Sequence, residues 1–163
     1  MSEFAKKYEP ENFEKSTYSD WEKDKCFEPK KSITGDSYYL PIPPPNVTGV
    51  LHLGHAIMLT LEDIMVRYHR MKGDSTLWVP WTDHAGISTQ ARVEDKLAKE
   101  WKRKEDIGRE KFLEECWDWT KKYGWSIQNQ IRMMGSSVDW KKERFTFDPE
   151  LNRRVNKAFV DLY

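Results

Sequence analysis

Apolar positions along the chain repeat with two different spacings, and these spacings predict its helices and strands. Residues 37–42 are short, aromatic and rich in β-favouring side chains, which is typical of a strand. The next regular stretch repeats every three or four residues, as in a helix with one buried face. Its apolar positions are Leu53, Ile57, Leu61, Ile64, Tyr68 and Met71. The sequence therefore predicts a strand followed by a helix over about 51–71.

A second strand and further helices follow. Residues 75–79 form another apolar strand that ends at Pro80. A strand, a helical crossover and a strand predict a parallel pair with a right-handed connection. A long helical stripe comes next, and we interpret it as core. It comprises Phe112, Cys116, Trp119, Tyr123, Ile127, Ile131 and Met134. Gly73 is expected to end the first long helix in left-handed conformation, and Gly135 is expected to close the second.

The ends of the chain carry weaker patterns. Residues 1–36 form a polar arm, in which a helix is predicted over 11–25. Asp148 and Pro149 are typical of a helix start, because Asp favours the capping position and Pro the first turn. The fold class is therefore α/β with parallel strands. In such sheets ligands bind beyond the carboxyl ends of the strands, where the turns 43–49 and 80–86 fall.

Composition narrows the class of protein. The chain has 163 residues, of which 33% are charged, and its formal net charge is +0. This balance gives no overall positive field for a nucleic acid. Cys26 and Cys116 belong to no metal or redox pattern, which indicates free thiols in a reducing compartment. Because no apolar run reaches membrane-spanning length and residues 1–7 lack a signal-peptide core, we expect a soluble cytoplasmic protein.

Candidate chemistry is concentrated where the first strand meets the first helix. Prolines 43–45 keep the chain extended, and Gly49 allows it to turn. The free N–H groups of the first helical turn form a site for phosphate. His52 and His55 lie on one helix face, and Gly54 between them leaves room for a flat ligand. This arrangement indicates a nucleotide triphosphate site.

Two other interpretations of the histidine pair remain open. The histidines could simply cap or solvate the helix end. A zinc pair is disfavoured, because no cysteine or third histidine lies nearby to complete a ligand set.

These residues resemble a known family. The segment His52-Leu53-Gly54-His55 resembles the His-x-Gly-His signature of class I aminoacyl-tRNA synthetases. The longer block 43–56 is similar to the form that this signature takes in valyl-tRNA synthetases. The likeness continues in residues 82–90, 108–112 and 138–140, and it covers nearly the whole chain from about residue 8.

The resemblance implies a fold and a division of the chain. Residues 37–163 would be the first half of a Rossmann-like class I catalytic domain, preceded by the arm 1–36. The second signature of the family, Lys-Met-Ser-Lys-Ser, matches no stretch of this chain. The editing and anticodon-binding regions are likewise expected to lie outside it. We therefore expect an N-terminal fragment that is poorly active alone.

The resemblance also implies roles for individual residues. His52 and His55 would be the catalytic donors to the phosphates of ATP, and Mg²⁺ would accompany ATP without a metal site in the chain. The expected ATP-binding residues are Thr48, Gly49, His52, Gly54 and His55. The expected amino-acid-binding residues are Pro44, Asn46 and Asp83, with His84 and Trp81 in supporting positions. The implied partners are valine and tRNA(Val), the tRNA mostly through regions outside this chain, and we expect a monomer with no membrane association.

Two residues keep alternatives open. From spacing alone, Asp83 could cap a helix beginning near Ile87 instead of holding an amino acid. Trp81 departs from the glycine that usually precedes Thr-Asp-His in the family, and its indole would either pack outward against Trp78 or narrow the substrate pocket.

Function has competing interpretations as well. The leading one is the N-terminal catalytic part of a valine–tRNA ligase. Other possibilities are another branched-chain synthetase, a small-molecule nucleotidyltransferase, or a truncated binding domain without catalysis.

Overall fold

The computed structural model describes residues 7–163 and shows a mixed helix-and-strand architecture, as the sequence predicts. The beginning of the predicted arm, residues 1–6, lies outside the described residues. The helices are α1 (Glu14–Lys23), α2 (Leu53–Lys72), α3 (Gly86–Lys99), α4 (Lys104–Met133) and α5 (Pro149–Leu162). The strands are β1 (Ser37–Pro41), β2 (Ser75–Val79), β3 (Trp81–Thr82) and β4 (Arg144–Phe145). Short 3-10 turns cover Pro10–Asn12 and Trp140–Lys142.

The strands form two parallel pairs, and one strand of each pair belongs to the same continuous segment of the chain. Strand β1 pairs with β2, with Ser37 opposite Ser75 at one end. Strand β3 pairs with β4 in the same parallel sense. Because only Pro80 separates β2 from β3, residues 75–82 run between β1 on one side and β4 on the other. The predicted parallel crossover through α2 is confirmed.

Two apolar clusters hold these elements together. The larger cluster joins the strands to α2 and α4; its buried members are Ile42, Val47, Leu59, Val66, Trp78, Ile127, Ile131 and Val138. The smaller cluster joins α3 to the start of α4 through Val93, Leu97 and Phe112. The predicted core stripe on α4 is therefore largely confirmed, although Met134 at its end is 38% exposed.

The predicted buried face of α2 is wrong. The six apolar positions that defined it are 55–89% exposed, whereas Leu59 and Val66 are buried at 1% and 0%. The same face of α2 also carries polar side chains that point into the protein and form hydrogen bonds with residues of other segments. The Trp78 indole donates to Glu62 at 3.1 Å, and Arg70 donates to the Ser137 carbonyl at 2.7 Å. These pairs allow a helix to bury a face that its apolar spacing does not mark.

Helix ends follow their sequence signals more closely. Gly73 has a φ of 97°, so the predicted left-handed terminator of α2 is confirmed, and Gly135 closes α4 as predicted, with a φ of 70°. Asp148 does precede Pro149 at the start of α5, but its carboxylate accepts from the Phe145 N–H at 3.1 Å instead of capping the helix. Among residues 7–163, none of the helices has the length and apolar character needed to cross a membrane.

Candidate nucleotide and amino-acid site

The two turns singled out from the sequence lie side by side. Asn46 and Asp83 form a parallel bridge beyond the end of β1 and β3. The Asp83 N–H donates to the Pro45 carbonyl, and the Val47 N–H donates to the Asp83 carbonyl, each at 2.9 Å. These bonds continue the parallel pairing past the strands, so the carboxyl ends of the strands carry both turns.

Helix α4 fixes the first turn from the other side. The Trp119 indole donates to the Val47 carbonyl at 3.1 Å, and the Leu51 N–H donates to the Gln130 side chain at 2.8 Å. The aromatic spacing of α4 assigned Trp119 to the core, but nothing in the sequence marked Gln130. Both residues hold the path of the chain between Asn46 and the start of α2.

The two histidines form a reciprocal cap at the start of α2. His52 is the capping residue, and its Nδ1 accepts from the Gly54 N–H at 3.1 Å. The His55 Nδ1 accepts from the His52 N–H at 3.2 Å. The ring centroids are 4.0 Å apart, His52 is exposed and His55 is half-buried. The capping interpretation is therefore correct for one nitrogen of each ring.

This cap leaves the other ring nitrogens for a ligand. Because each Nδ1 accepts from a backbone donor, the neutral rings carry their proton on Nε2. Burial, and then the neighbouring His52, lower the pKa of His55, which favours its neutral form. The pair therefore offers two Nε2–H donors beside the positive end of a helix dipole, an arrangement suited to an anion.

Gly54 has a more specific role than the open space expected from the sequence. A Cβ at this position would lie 2.9 Å from Cε1 and 3.1 Å from Nδ1 of His52. The imidazole thus occupies the space over the glycine, and a side chain there would push it away. The missing side chain serves the histidine cap directly.

Asp83 supports the turn before α3. Its Oδ1 accepts from the Ala85 N–H at 2.8 Å and from the Thr146 hydroxyl at 3.1 Å. The capping residue of α3 is Ala85, in left-handed conformation with φ of 51°, and the helix begins at Gly86. Asp83 therefore does not cap α3 itself, and its side chain remains partly exposed, at 35%.

The other predicted binding residues lie in the paired turn or directly after Asp83 in the chain. Asn46 and Pro44 are exposed, and Thr48 and Gly49 are half-buried. His84 is anchored through Thr146, to which its N–H donates at 2.9 Å. Sequence analysis missed Thr146, which follows β4 and lies far from Asp83 in the chain.

Trp81 is the one large residue in this turn. It lies two positions before Asp83, so strand alternation directs both side chains to the same face. Its indole nitrogen is buried and has no hydrogen-bond partner within residues 7–163. A buried N–H without a hydrogen bond costs free energy.

The polar groups form two clusters instead of one bonded network. His52 and His55 lie at the start of α2. Asn46 lies beside Asp83 and His84 where the two turns are bridged. Residues 47–51 connect them, anchored at Val47 and Leu51. In the described part of the chain, no three His, Cys, Asp or Glu side chains are grouped to hold a metal ion.

An open cleft of about 480 Å³ lies beside the same turns, against α4. It shares Val47 and Thr82 with them, but its lining does not include the two histidines or Asp83. The candidate site is therefore a surface of the turns, not this cleft.

Comparison with known proteins shows the family of the chain. Residues 16–163 match the family described as tRNA synthetases class I (I, L, M and V). The chain therefore belongs to the class I tRNA synthetases of this group. A leucyl-tRNA synthetase from Agrobacterium radiobacter, solved in a ternary complex with tRNA and LeuAMS, has a similar fold: the TM-score is 0.76 at 21% identity over 96% of this chain and 18% of that one.

Curated relatives within the family are valine–tRNA ligases. The enzyme of Treponema denticola is 54% identical over 162 residues, 99% of this chain and 18% of that protein. The enzyme of Fusobacterium nucleatum is 51% identical over 163 residues, 100% of this chain and 18% of that protein. A chloroplastic and mitochondrial enzyme of Arabidopsis thaliana is 52% identical over 150 residues, 92% of this chain and 15% of that protein. The chain thus spans less than a fifth of these relatives.

Proposed function

We propose that this chain is the part of a valine–tRNA ligase that binds ATP and the amino group of valine. The observation that carries the proposal is the bridge between Asn46 and Asp83, which joins the histidine-bearing turn to the carboxylate-bearing turn. The names of the relatives support valine as the amino acid. The reaction would be attack of the valine carboxylate on the α-phosphorus of ATP, which forms valyl-adenylate and releases pyrophosphate. The terminal ribose hydroxyl of tRNA(Val) would then take the valyl group, with release of AMP.

The nucleotide half of the proposed site is the start of α2. The Nε2–H groups of His52 and His55 would donate to the phosphate oxygens as negative charge develops, with Thr48, Gly49 and Gly54 forming the surrounding backbone. Catalysis would rest on positioning and on fixed donors, since no covalent enzyme intermediate is required. By analogy with an oxyanion donor, loss of either imidazole costs about 3 kcal/mol, or about a hundredfold in rate.

The amino-acid half would be the turn around Asp83. Its carboxylate would pair with the α-ammonium group, and Asn46 with the backbone near Pro44 would lie beside it. An apolar pocket rejects threonine, an isostere of valine, by only about a hundredfold, a figure established on valyl-tRNA synthetases themselves. The complete enzyme would therefore need an editing activity in addition to this site.

Mg²⁺ fits this scheme only as a companion of ATP. The described residues group no ligand set for a metal, and Mg²⁺ commonly relies on substrate phosphates. The cation would neutralise phosphate charge, while His52 and His55 orient the phosphate oxygens.

We also propose that residues 37–163 are the first part of a longer catalytic domain, which would work in the cytoplasm. Within residues 7–163, β1 pairs only with β2, and the apolar stripe of α2 is exposed beside it. Parallel sheets are normally covered on both faces, so further chain would be needed to complete this one. The small share of each relative that the chain spans supports the same proposal.

The test is ATP–pyrophosphate exchange by the 163-residue chain with valine, isoleucine, leucine or methionine. We expect slow exchange that valine supports best. Exchange that ignores all four amino acids would favour a small-molecule nucleotidyltransferase, and preference for isoleucine or leucine would favour a different synthetase. A folded chain without any exchange would favour a binding domain.

Trp81 needs a separate test, because its indole faces the same side as Asp83. We propose that the Trp81 indole narrows the valine pocket, so that Trp81→Gly should tighten valine binding in a calorimetric titration. Unchanged affinity would remove Trp81 from the pocket wall.

A further inference from the structure

A threonine that no sequence pattern marked contacts both polar residues of the Asp83 turn. Thr146 directly follows β4, and its N–H donates to the Thr82 carbonyl at 3.0 Å, which holds it beside the turn. Its hydroxyl lies 3.1 Å from Asp83 Oδ1, 2.9 Å from the His84 backbone nitrogen and 2.6 Å from His84 Nδ1. One hydroxyl therefore has three polar neighbours.

The hydrogen-bonding capacity of a hydroxyl determines which neighbour donates. A threonine hydroxyl has one hydrogen and two lone pairs. The carboxylate of Asp83 can only accept, and the backbone N–H of His84 can only donate. The hydroxyl hydrogen therefore goes to Asp83, one lone pair accepts from the His84 N–H, and the second accepts from His84 Nδ1–H.

The same assignment follows from the surroundings of the His84 ring. Its Nδ1 faces two oxygen acceptors, Thr146 Oγ1 at 2.6 Å and Asp83 Oδ1 at 3.4 Å. With the Thr146 hydrogen donated to Asp83 Oδ1, a hydrogen on His84 Nδ1 completes both contacts, whereas a lone pair on Nδ1 would meet only acceptors. The ring also packs against Phe147, with centroids 4.8 Å apart, so its plane is held as well.

These hydrogen bonds use only one of the two carboxylate oxygens of Asp83. Oδ1 accepts from the Ala85 N–H and the Thr146 hydroxyl, while Oδ2 has no hydrogen bond within residues 7–163. With the carboxylate 35% exposed, Oδ2 is the atom available to a ligand cation.

We propose that Thr146 is a positioning residue for the amino-acid site: its hydroxyl holds Asp83 Oδ1, so that Oδ2 faces the α-ammonium of the amino acid, and it keeps His84 in the Nδ1–H form. This proposal rests on the proposed function for the identity of the ligand. The positioning itself is a property of the free chain. Thr146 acts through Asp83 and His84 and does not touch the substrate.

The first experiment needs no ligand. Long-range proton–nitrogen NMR of the imidazoles reports which nitrogen of His84 carries the hydrogen. We expect Nδ1–H in the parent chain and in Thr146→Ser, and a shift toward Nε2–H in Thr146→Val, with faster exchange of the His84 backbone amide. Thr60→Val, which removes an exposed hydroxyl bonded to the Ala56 carbonyl, is the matched control and should change neither signal. An unchanged His84 ring in a folded Thr146→Val protein would overturn the proposal.

The second experiment measures valine affinity in a double-mutant cycle. We expect Thr146→Val to weaken binding about tenfold, the scale of a hydrogen bond to a charged group, and Thr146→Ser to stay within about twofold. In an Asp83→Asn background, the Thr146→Val substitution should weaken valine binding little further, because Asp83 and Thr146 act as one unit. Equal losses in both backgrounds would overturn the positioning role. Absence of valine binding by the parent chain, with the expected His84 form, would instead contradict the proposed function alone.

Discussion

Single residues in this chain carry two tasks at once, and Gly54 shows how. It contributes an N–H to the cap and leaves room for the His52 ring above it. The sequence located the histidines and the glycine, because their spacing on a helix is fixed by geometry. It could not show that the ring itself fills the open space, since this depends on a side-chain rotation that spacing does not determine.

Gly54→Ala is expected to separate these tasks. A Cβ 2.9 Å from His52 Cε1 forces the ring aside, which costs about 1 kcal/mol of capping, while alanine returns a similar amount of helix propensity. The free energy of unfolding should therefore change by less than about 1 kcal/mol, whereas ATP affinity falls about tenfold with loss of the aligned donor.

Gly124→Ala is the control for this substitution, because Gly124 lies within α4 and nothing lies within 4 Å of its added Cβ. It should raise the free energy of unfolding by about 0.5–1 kcal/mol and leave ATP affinity unchanged. Equal ATP affinity in Gly54→Ala and Gly124→Ala, measured by titration, would contradict the role of Gly54.

Trp101 is a second residue whose conformation the sequence does not predict. It follows the end of α3 with φ of 58°, and its side chain is 96% exposed. A left-handed backbone conformation costs a residue with a side chain about 1–2 kcal/mol, and glycine avoids this cost. Glycine loses more conformational freedom on folding, which offsets about 0.5–1 kcal/mol of that gain. Trp101→Gly should thus raise the free energy of unfolding by about 0.5–1 kcal/mol in urea titrations.

The neighbouring Glu100 provides the comparison, because its φ of -95° is ordinary. Glu100→Gly should lower the free energy of unfolding. Stabilisation by both glycines, or by neither, would show that backbone conformation at Trp101 is not the cause.

At the scale of elements, α2 was predicted in the right place and with the wrong face buried. Its apolar stripe stays exposed, while Leu59 and Val66 pack inward together with paired polar groups such as Glu62 and Arg70. Apolar periodicity predicts a buried face only from hydrophobic side chains. It gives no signal for a polar residue that is buried because its hydrogen-bond partner comes from a distant segment. Strands β1 and β2 and the glycine that ends α2 were predicted well because they depend on local backbone preferences, whereas the two-residue strands β3 and β4 were not predicted.

Two leucines on this helix test the observed orientation. Leu59→Ala should lower the free energy of unfolding by about 2–5 kcal/mol, because Leu59 is 1% exposed. Leu61→Ala should change it by no more than about 0.5 kcal/mol, because Leu61 is 60% exposed. Urea unfolding monitored by tryptophan fluorescence measures both, and equal losses would mean that the stripe is buried after all.

At the scale of the whole molecule, the sequence predicted which turns meet but not what holds them. Parallel strands place the two turns at one edge by topology, and the family resemblance brought Asn46 and Asp83 together within them. The supports come from α4 and the segment after β4, through Trp119, Gln130 and Thr146. These contacts join residues that are far apart in the sequence and depend on single polar atoms, so no local sequence pattern predicts them.

The central claim is that the two turns form one site with two halves, and NMR titration of the 163-residue chain tests it most directly. ATP alone should shift the amides of 52–55, valine alone those of 83–85, and a nonhydrolysable valyl-adenylate analogue both sets. Asp83→Asn should weaken the valine response, so that it needs a higher valine concentration, and leave the ATP response intact. ATP shifts confined to other residues, or an undiminished valine response in Asp83→Asn, would contradict the account.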